Sequence, residues 1–330
     1  MRLPRTPSRT PFGTRGPSAA SRARRTLLAL AAAALAGCND DPPAGRPDSL
    51  AARDDGGDTA GAAPVTAAGT WVQEAGPVLV VPAGAATRAS IVFPEFTDST
   101  LTDTTTFDVV RLRGARVDLL GRGGLVSASV PVDAVPELDR PEGCTGWPAA
   151  RLTSADGATQ PWTVAFVAGR VRPVPLDSLE GMARADSARL AADVARVVSA
   201  LPDTGDSTFA GRPFLVRAAY RFPIAPGVEG VAADVMRTVN QEANPRAEHL
   251  LVVAERESGG KWGAAYVERA SGHEETLEVS EVLAAAFVGN ASWPTLVLAR
   301  DYGDGTAYAL LERDGPRRWR VRWSSAYAGC

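Results

Sequence analysis

The residues that could do chemistry are few. His249 and His273 are the only histidines, so metal ligation and general-base catalysis have little to draw on. The cysteines are Cys38, Cys144 and Cys330. A Cys144–histidine pair could supply nucleophile and base, and the two histidines with added carboxylates could hold a metal. Neither arrangement has a local motif, and each histidine reads better as a surface residue beside a strand end. There is no GxSxG elbow, no HExxH and no SxxK followed by its partner motifs. The expectation is therefore no catalytic residue, no metal and no cofactor.

Asp301-Tyr302-Gly303-Asp304-Gly305 brings two aspartates close, but calcium needs roughly six to eight oxygens, so a hairpin turn is the better reading. Gly121–Gly124 is likewise a turn, since it lacks phosphate-loop spacing and no helix pattern follows. Arg317, Arg318, Arg320 and Arg322 form a row that could bind an anionic polymer. A solvated sheet face paired with nearby Asp or Glu is favoured instead. The seven tryptophans are scattered, which suits a core better than a glycan platform.

The N-terminus carries a different signal. Residues 1–25 hold seven arginines and no acid, and Thr26–Gly37 is an apolar run of 12 residues. That run suits an export leader and falls short of the roughly 20 residues that span a bilayer. It ends in Leu35-Ala36-Gly37-Cys38, which resembles the lipobox of bacterial lipoproteins. The resemblance implies removal of residues 1–37 and a diacylglyceryl thioether on Cys38, with a further acyl chain in some bacteria. It places the protein in the cell envelope, exported and membrane-anchored, since each buried acyl carbon contributes about 0.8 kcal/mol. Arg24-Arg25-Thr26-Leu27-Leu28 also resembles a loose twin-arginine signal, although the general secretory route is expected. The final 40 residues resemble extracellular β-propeller-type repeats, but Gly289–Pro294 holds no acid and no calcium role carries over.

Without residues 1–37 the chain has 28 basic and 38 acidic residues, a net charge of −10. That balance argues against nucleic acid as a partner and leaves the membrane, reached through the lipid, with an envelope protein or a glycan as further candidates. Lipidation of Cys38 leaves Cys144 and Cys330 as an even pair in an oxidising compartment, which favours a disulfide over two free thiols.

Residues 38–68 follow the leader as the lipidated cysteine and a tether. Only Leu50 and Val65 are larger aliphatics there, too few to offset chain entropy. Such a tether reaches about 30 Å.

Residues 69–175 read as a β-rich N-terminal half and 176–330 as a helix plus an antiparallel meander, in one domain or two. The fold class is α+β, mainly antiparallel sheet with one long amphipathic helix over about 177–201. Asp177 and Glu180 form a capping box for it, and Pro202 stops it. Val279–Phe287 suits strand or short helix. Ser258-Gly259-Gly260, Ser271-Gly272, Asp304-Gly305 and Asp314-Gly315 read as hairpin joins. Trp319, Val321 and Trp323 alternate with arginines, which puts all three on one core face. The function expected is a non-enzymatic envelope protein that binds or scaffolds another component. The alternative is an envelope hydrolase whose two carboxylates lie far apart in sequence.

Overall fold

The computed structural model describes residues 78–80, 87–93, 112–138, 146–153, 161–203, 207–239, 245–325 and 327–330. The leader, Cys38, the tether, Trp71 and Cys144 lie outside the described residues. What is described is mostly antiparallel β-sheet with one α-helix.

Strands β1 (Val78–Val80), β2 (Arg88–Phe93), β3 (Arg116–Gly121), β4 (Gly124–Leu138), β5 (Pro148–Leu152) and β6 (Val164–Val167) close a barrel in the order β1-β2-β5-β4-β3-β6. Alternation along each strand sorts its residues: Leu79 points into the barrel core with Ile91, Val117 and Leu119, while Val78 and Val80 face outward. Closure needs bending, and β4 bends where Ser129 takes φ 54°. One carboxylate fixes that irregularity: Asp118 accepts from Ser129 N at 2.9 Å and from Gly169 N at 2.8 Å. A bulge held in this way increases twist and turns a long strand around a barrel.

The rest is two stacked sheets. One has the order β12-β11-β10-β9-β8: β8 (Asp177–Ser178), β9 (Leu215–Ala225), β10 (Val228–Val239), β11 (Arg246–Glu257) and β12 (Gly263–His273). The other runs β16-β15-β14-β13-β7, with β17 also on β15. Its strands are β7 (Val171–Val174), β13 (Val279–Val288), β14 (Thr295–Asp301), β15 (Gly305–Gly315), β16 (Arg318–Ser324) and β17 (Ala328–Gly329). Phe222, Leu251 and Val253 of the first sheet meet Leu296, Leu298 and Trp319 of the second. The helix, α1 (Arg184–Ser199), covers the first sheet's other face through Leu190, Val194 and Val198. The barrel covers the second sheet's other face, where Leu120, Val164 and Phe166 meet Leu283, Val297 and Leu310. The layers therefore run helix, sheet, sheet, barrel. Because β11 is covered on both sides, its buried run is unbroken from Ala247 to Glu255, as expected of a doubly buried strand.

Arg122 helps pin the barrel to the sandwich, alongside Thr163, whose Oγ1 donates to Leu283 O at 2.8 Å. Arg122, in the β3–β4 turn, donates from Nε to Val282 O at 2.8 Å, pairs with Glu281 and lies 5.2 Å from the Tyr220 ring.

Four sequence expectations are corrected. The helix is shorter than 177–201, because residues 177–178 pair with Tyr220 and Arg221 as β8 and Leu179–Gly181 is a separate 3₁₀ turn. Ser178 caps that 3₁₀ turn, its Oγ accepting from Gly181 N at 3.2 Å, while α1 itself starts after Ala183 without a side-chain cap and Asp177 pairs with Arg221. Ser271-Gly272 is no turn but lies within β12, where the ladder to Ala247 and Glu248 holds it extended. Trp319 and Trp323 do not share a face. The register slips between Leu310 and Leu311, so Trp319 enters the core between the sheets and Trp323 the one beneath the barrel. Val279–Phe287 is strand, and the final strands form a sandwich sheet rather than propeller repeats.

Candidate functional site

Charged residues occupy positions where the strand register calls for core residues. On β10, Arg237 follows Val231, Ala233 and Val235 on the helix-facing side; on β11, Glu248 precedes Leu250 and Val252 on that side. The two meet under the C-terminal end of α1. Arg237 Nε lies 2.5 Å from Glu248 Oε2, and Glu248 is 0% exposed. Arg237 also donates from Nη1 to Phe209 O at 2.9 Å and from Nη2 to Asp203 Oδ1 at 2.8 Å. Its guanidinium lies 4.6 Å from the Phe214 ring centre and 5.5 Å from that of Phe209. Arg269 of β12 donates to Glu248 Oε1 at 3.4 Å and to Pro202 O at 3.2 Å. Burial alone would lower the Arg237 pKa, but bonding to Asp203 and Glu248 outweighs it, so the guanidinium is held more firmly protonated than usual.

These groups floor a cleft of about 350 Å³ between the end of α1, residues 211–214 and the sheet. Asp203 is the one acid among the described residues that line it, against Arg212, Arg237 and Arg269.

Two polar clusters lie between the sheets. At one end Arg313 grips Glu255 with both Nε and Nη2 at 2.8 Å, and Trp319 Nε1 donates to Glu255 at 2.6 Å. At the other, Glu268 accepts from Tyr266 OH at 2.6 Å and is bonded by Ser280 and Arg300. Burial and the neighbouring Glu268 charge push the Tyr266 phenol well above its ordinary range. Glu278, 3.9 Å from Arg300, is itself pushed up, chiefly by burial. The Glu255 cluster is closed on itself, as a buried polar network must be to repay desolvation, whereas in the Glu268 cluster Arg300 Nε is buried without a hydrogen-bond partner among the described residues.

The residues singled out in the sequence fall elsewhere. His249 is no surface residue: it sits within β11, 6% exposed, with Nδ1 at 2.9 Å from Asp234 Oδ1, because its register faces the second sheet. His273 is exposed at the end of β12. Among the described residues, no group of three or more His, Cys, Asp or Glu is arranged to hold a metal ion. Arg318 and Arg320 pair with Asp314, and Arg322 with Glu312, so much of the arginine row is a neutralised sheet face. Asp301–Gly305 is a hairpin turn, with Asp301 Oδ1 accepting from Gly303 N at 2.9 Å. Trp147, Trp162, Trp319 and Trp323 are buried. Cys330 donates its backbone N–H to Asp304 O at 3.0 Å; Cys144 and Cys38 lie outside the described residues.

The arginine cleft was not anticipated from the sequence. The readable signal was charge at in-register core positions: Arg237 after Val231, Ala233 and Val235, and Glu248 before Leu250 and Val252. Comparison with protein-family models, with curated proteins and with solved structures found no match.

Proposed function

We propose that this chain is an exported α+β lipoprotein of the cell envelope, anchored through lipid on Cys38, that binds or scaffolds another component without turning it over. The observation that carries the non-enzymatic reading is the state of its carboxylates. The two buried glutamates among the described residues, Glu248 and Glu255, are each locked by arginine. A general acid or base must exchange protons near working pH and reach a substrate. A carboxylate whose oxygens are both taken up by guanidiniums is suited to hold structure instead. A glycosidase-type site would need two carboxylates about 5–10 Å apart facing one cleft, and the described lining of the α1 cleft offers one. The described helix is too short to cross a membrane; in this reading attachment is through the lipid on Cys38.

We also propose the Cys144–Cys330 disulfide. Trp147 packs 5.2 Å from Tyr308, and Ala328 belongs to the same core. Cys144 is three residues from Trp147 and Cys330 two from Ala328, and extended chain spans about 3.3–3.6 Å per residue, so the two cysteines are tethered within reach of one region.

The test is turnover on a panel of envelope ester, peptide and glycan substrates. No turnover is expected. Turnover abolished by one point mutation would overturn the reading in favour of the carboxylate hydrolase.

A further inference from the structure

We infer that the cleft at the C-terminal end of α1 is a binding site for a small organic oxyanion, a carboxylate or phosphate on an apolar body, whose place at Arg237 is held by Asp203. The inference rests on the binding reading and names its ligand class.

Arg237 is built as a receptor. It is 6% exposed, and Glu248 and Phe209 O fix two of its nitrogens from behind. Phe209 and Phe214 flank its guanidinium. Its third nitrogen, Nη2, turns toward the cleft, where Asp203 meets it at 2.8 Å. The two partners differ sharply in burial: the Arg237 side chain is 5% exposed and that of Asp203 is 55%. An exposed carboxylate on a buried, preorganised guanidinium is the easy member to exchange. Water can solvate its carboxylate once that bond is given up, whereas nothing but another anion can replace it on the buried guanidinium.

The surroundings favour an anion with an apolar body. Three guanidiniums, Arg212, Arg237 and Arg269, face two carboxylates, Asp203 and Glu248. Arg212 is exposed, and its side chain has no ion pair among the described residues. The negative pole of α1 would oppose an anion here, but Arg269, which donates to Pro202 O just past the helix end, sets a positive charge against it. Val198, Leu201, Pro213 and Phe214 supply apolar wall. The volume of about 350 Å³ falls at the small end of ligand clefts, about 300–1,000 Å³. Planar, forked guanidinium donors suit carboxylate and phosphate alike.

The experiment is calorimetric titration of the full chain in detergent with benzoate, phenyl phosphate and, as a lipid headgroup probe, monomeric dihexanoyl phosphatidylglycerol. Benzoate or phenyl phosphate is expected to bind, and the lipid probe is not. Asp203→Ala removes the internal competitor and is expected to tighten binding. Arg212→Ala lies on the exposed rim and leaves the fold intact; losing one charge-assisted contact is expected to weaken binding about tenfold or more. No binding by either the parent or Asp203→Ala would overturn the inference. So would an Asp203→Ala affinity no tighter than the parent's, an Arg212→Ala affinity equal to it, or binding of the lipid probe alone. Turnover on the substrate panel is read separately, so failure of the anion site and failure of the non-enzymatic reading are distinguishable.

Discussion

Trp319 and Trp323 stand four residues apart on one edge strand and fill two different cores. Val321 lies opposite Leu311 and Trp323 opposite Leu310, so a single slip in the ladder turns the strand over between them. Trp319 then closes the core between the sheets, donating to Glu255, while Trp323 enters the core shared with the barrel. One strand thus fastens three layers.

The two tryptophans should therefore fail differently. Trp319→Phe keeps most of the volume but strips a hydrogen bond from buried Glu255, a loss of about 1–3 kcal/mol. Trp323→Ala empties a cavity under the barrel and is expected to cost about 3–5 kcal/mol. Hydrogen exchange should show lost protection first at β12 and β16 for Trp319→Phe, and first in the barrel strands β1 and β6 for Trp323→Ala. The same pattern for both variants would contradict the assignment of separate cores.

Removing the anion that holds Arg237 should be severe. Glu248→Ala leaves Arg237 and the partly buried Arg269 without their shared counter-charge, and breaking a buried pair in this way costs about 3–5 kcal/mol. Denaturant unfolding checks this. A loss typical of a surface pair, below about 1 kcal/mol, would mean the network is solvated.

Acid should act on two glutamates with opposite sign. Burial tends to raise the Glu255 pKa, but Arg313, the Arg317 amide and Trp319 outweigh it and hold it below the ordinary 4.5. A depressed carboxyl contributes stability that is full above the ordinary value and is lost as pH falls through the folded one. Glu255→Gln should thus be less stable than the parent at neutral pH and converge with it only in acid, as pH falls through the depressed folded value. Glu312 is pushed up by burial despite Arg322 and Arg320. A raised carboxyl costs stability above its folded pKa, and the cost disappears as pH falls below the ordinary value. Glu312→Gln should be the more stable chain at neutral pH and lose that margin in acid. Denaturation midpoints across the pH range test both.

The proposed disulfide has its own signature. Closing a loop of almost 190 residues stabilises by about 5 kcal/mol in the chain-entropy treatment. Cys330→Ser should lose about that much, and the parent should be two hydrogens lighter than its reduced form. An unchanged melting curve with full thiol titre would rule the bond out.

Much of the β architecture was legible because strands covered on one face alternate and Gly or Asp marks their ends. Gly121–Gly124 and Asp304-Gly305 were read correctly as turns for that reason. Alternation fails where a bulge changes the parity, and nothing in Arg-Trp-Arg-Val-Arg-Trp announces the slip before Trp323. Local rules also gave way to the sheet at Asp177, where a valid capping pattern lost to pairing with β9. The cleft was hidden for a different reason. Arg237, Glu248, Arg269 and Asp203 come from four segments, and only the sheet register and the end of α1 bring them together. Each alone reads as an ordinary charged residue; the out-of-place charges among apolar neighbours were the clue.

Native mass spectrometry of the protein released gently from the envelope of its own host reads the lipid anchor and the anion site together. If the anchor reading holds, the chain begins at Cys38, carries a diacylglyceryl group there, and holds a reproducible small anionic adduct that Arg212→Ala loses. A chain that keeps residues 1–37 with an unmodified Cys38 would contradict it.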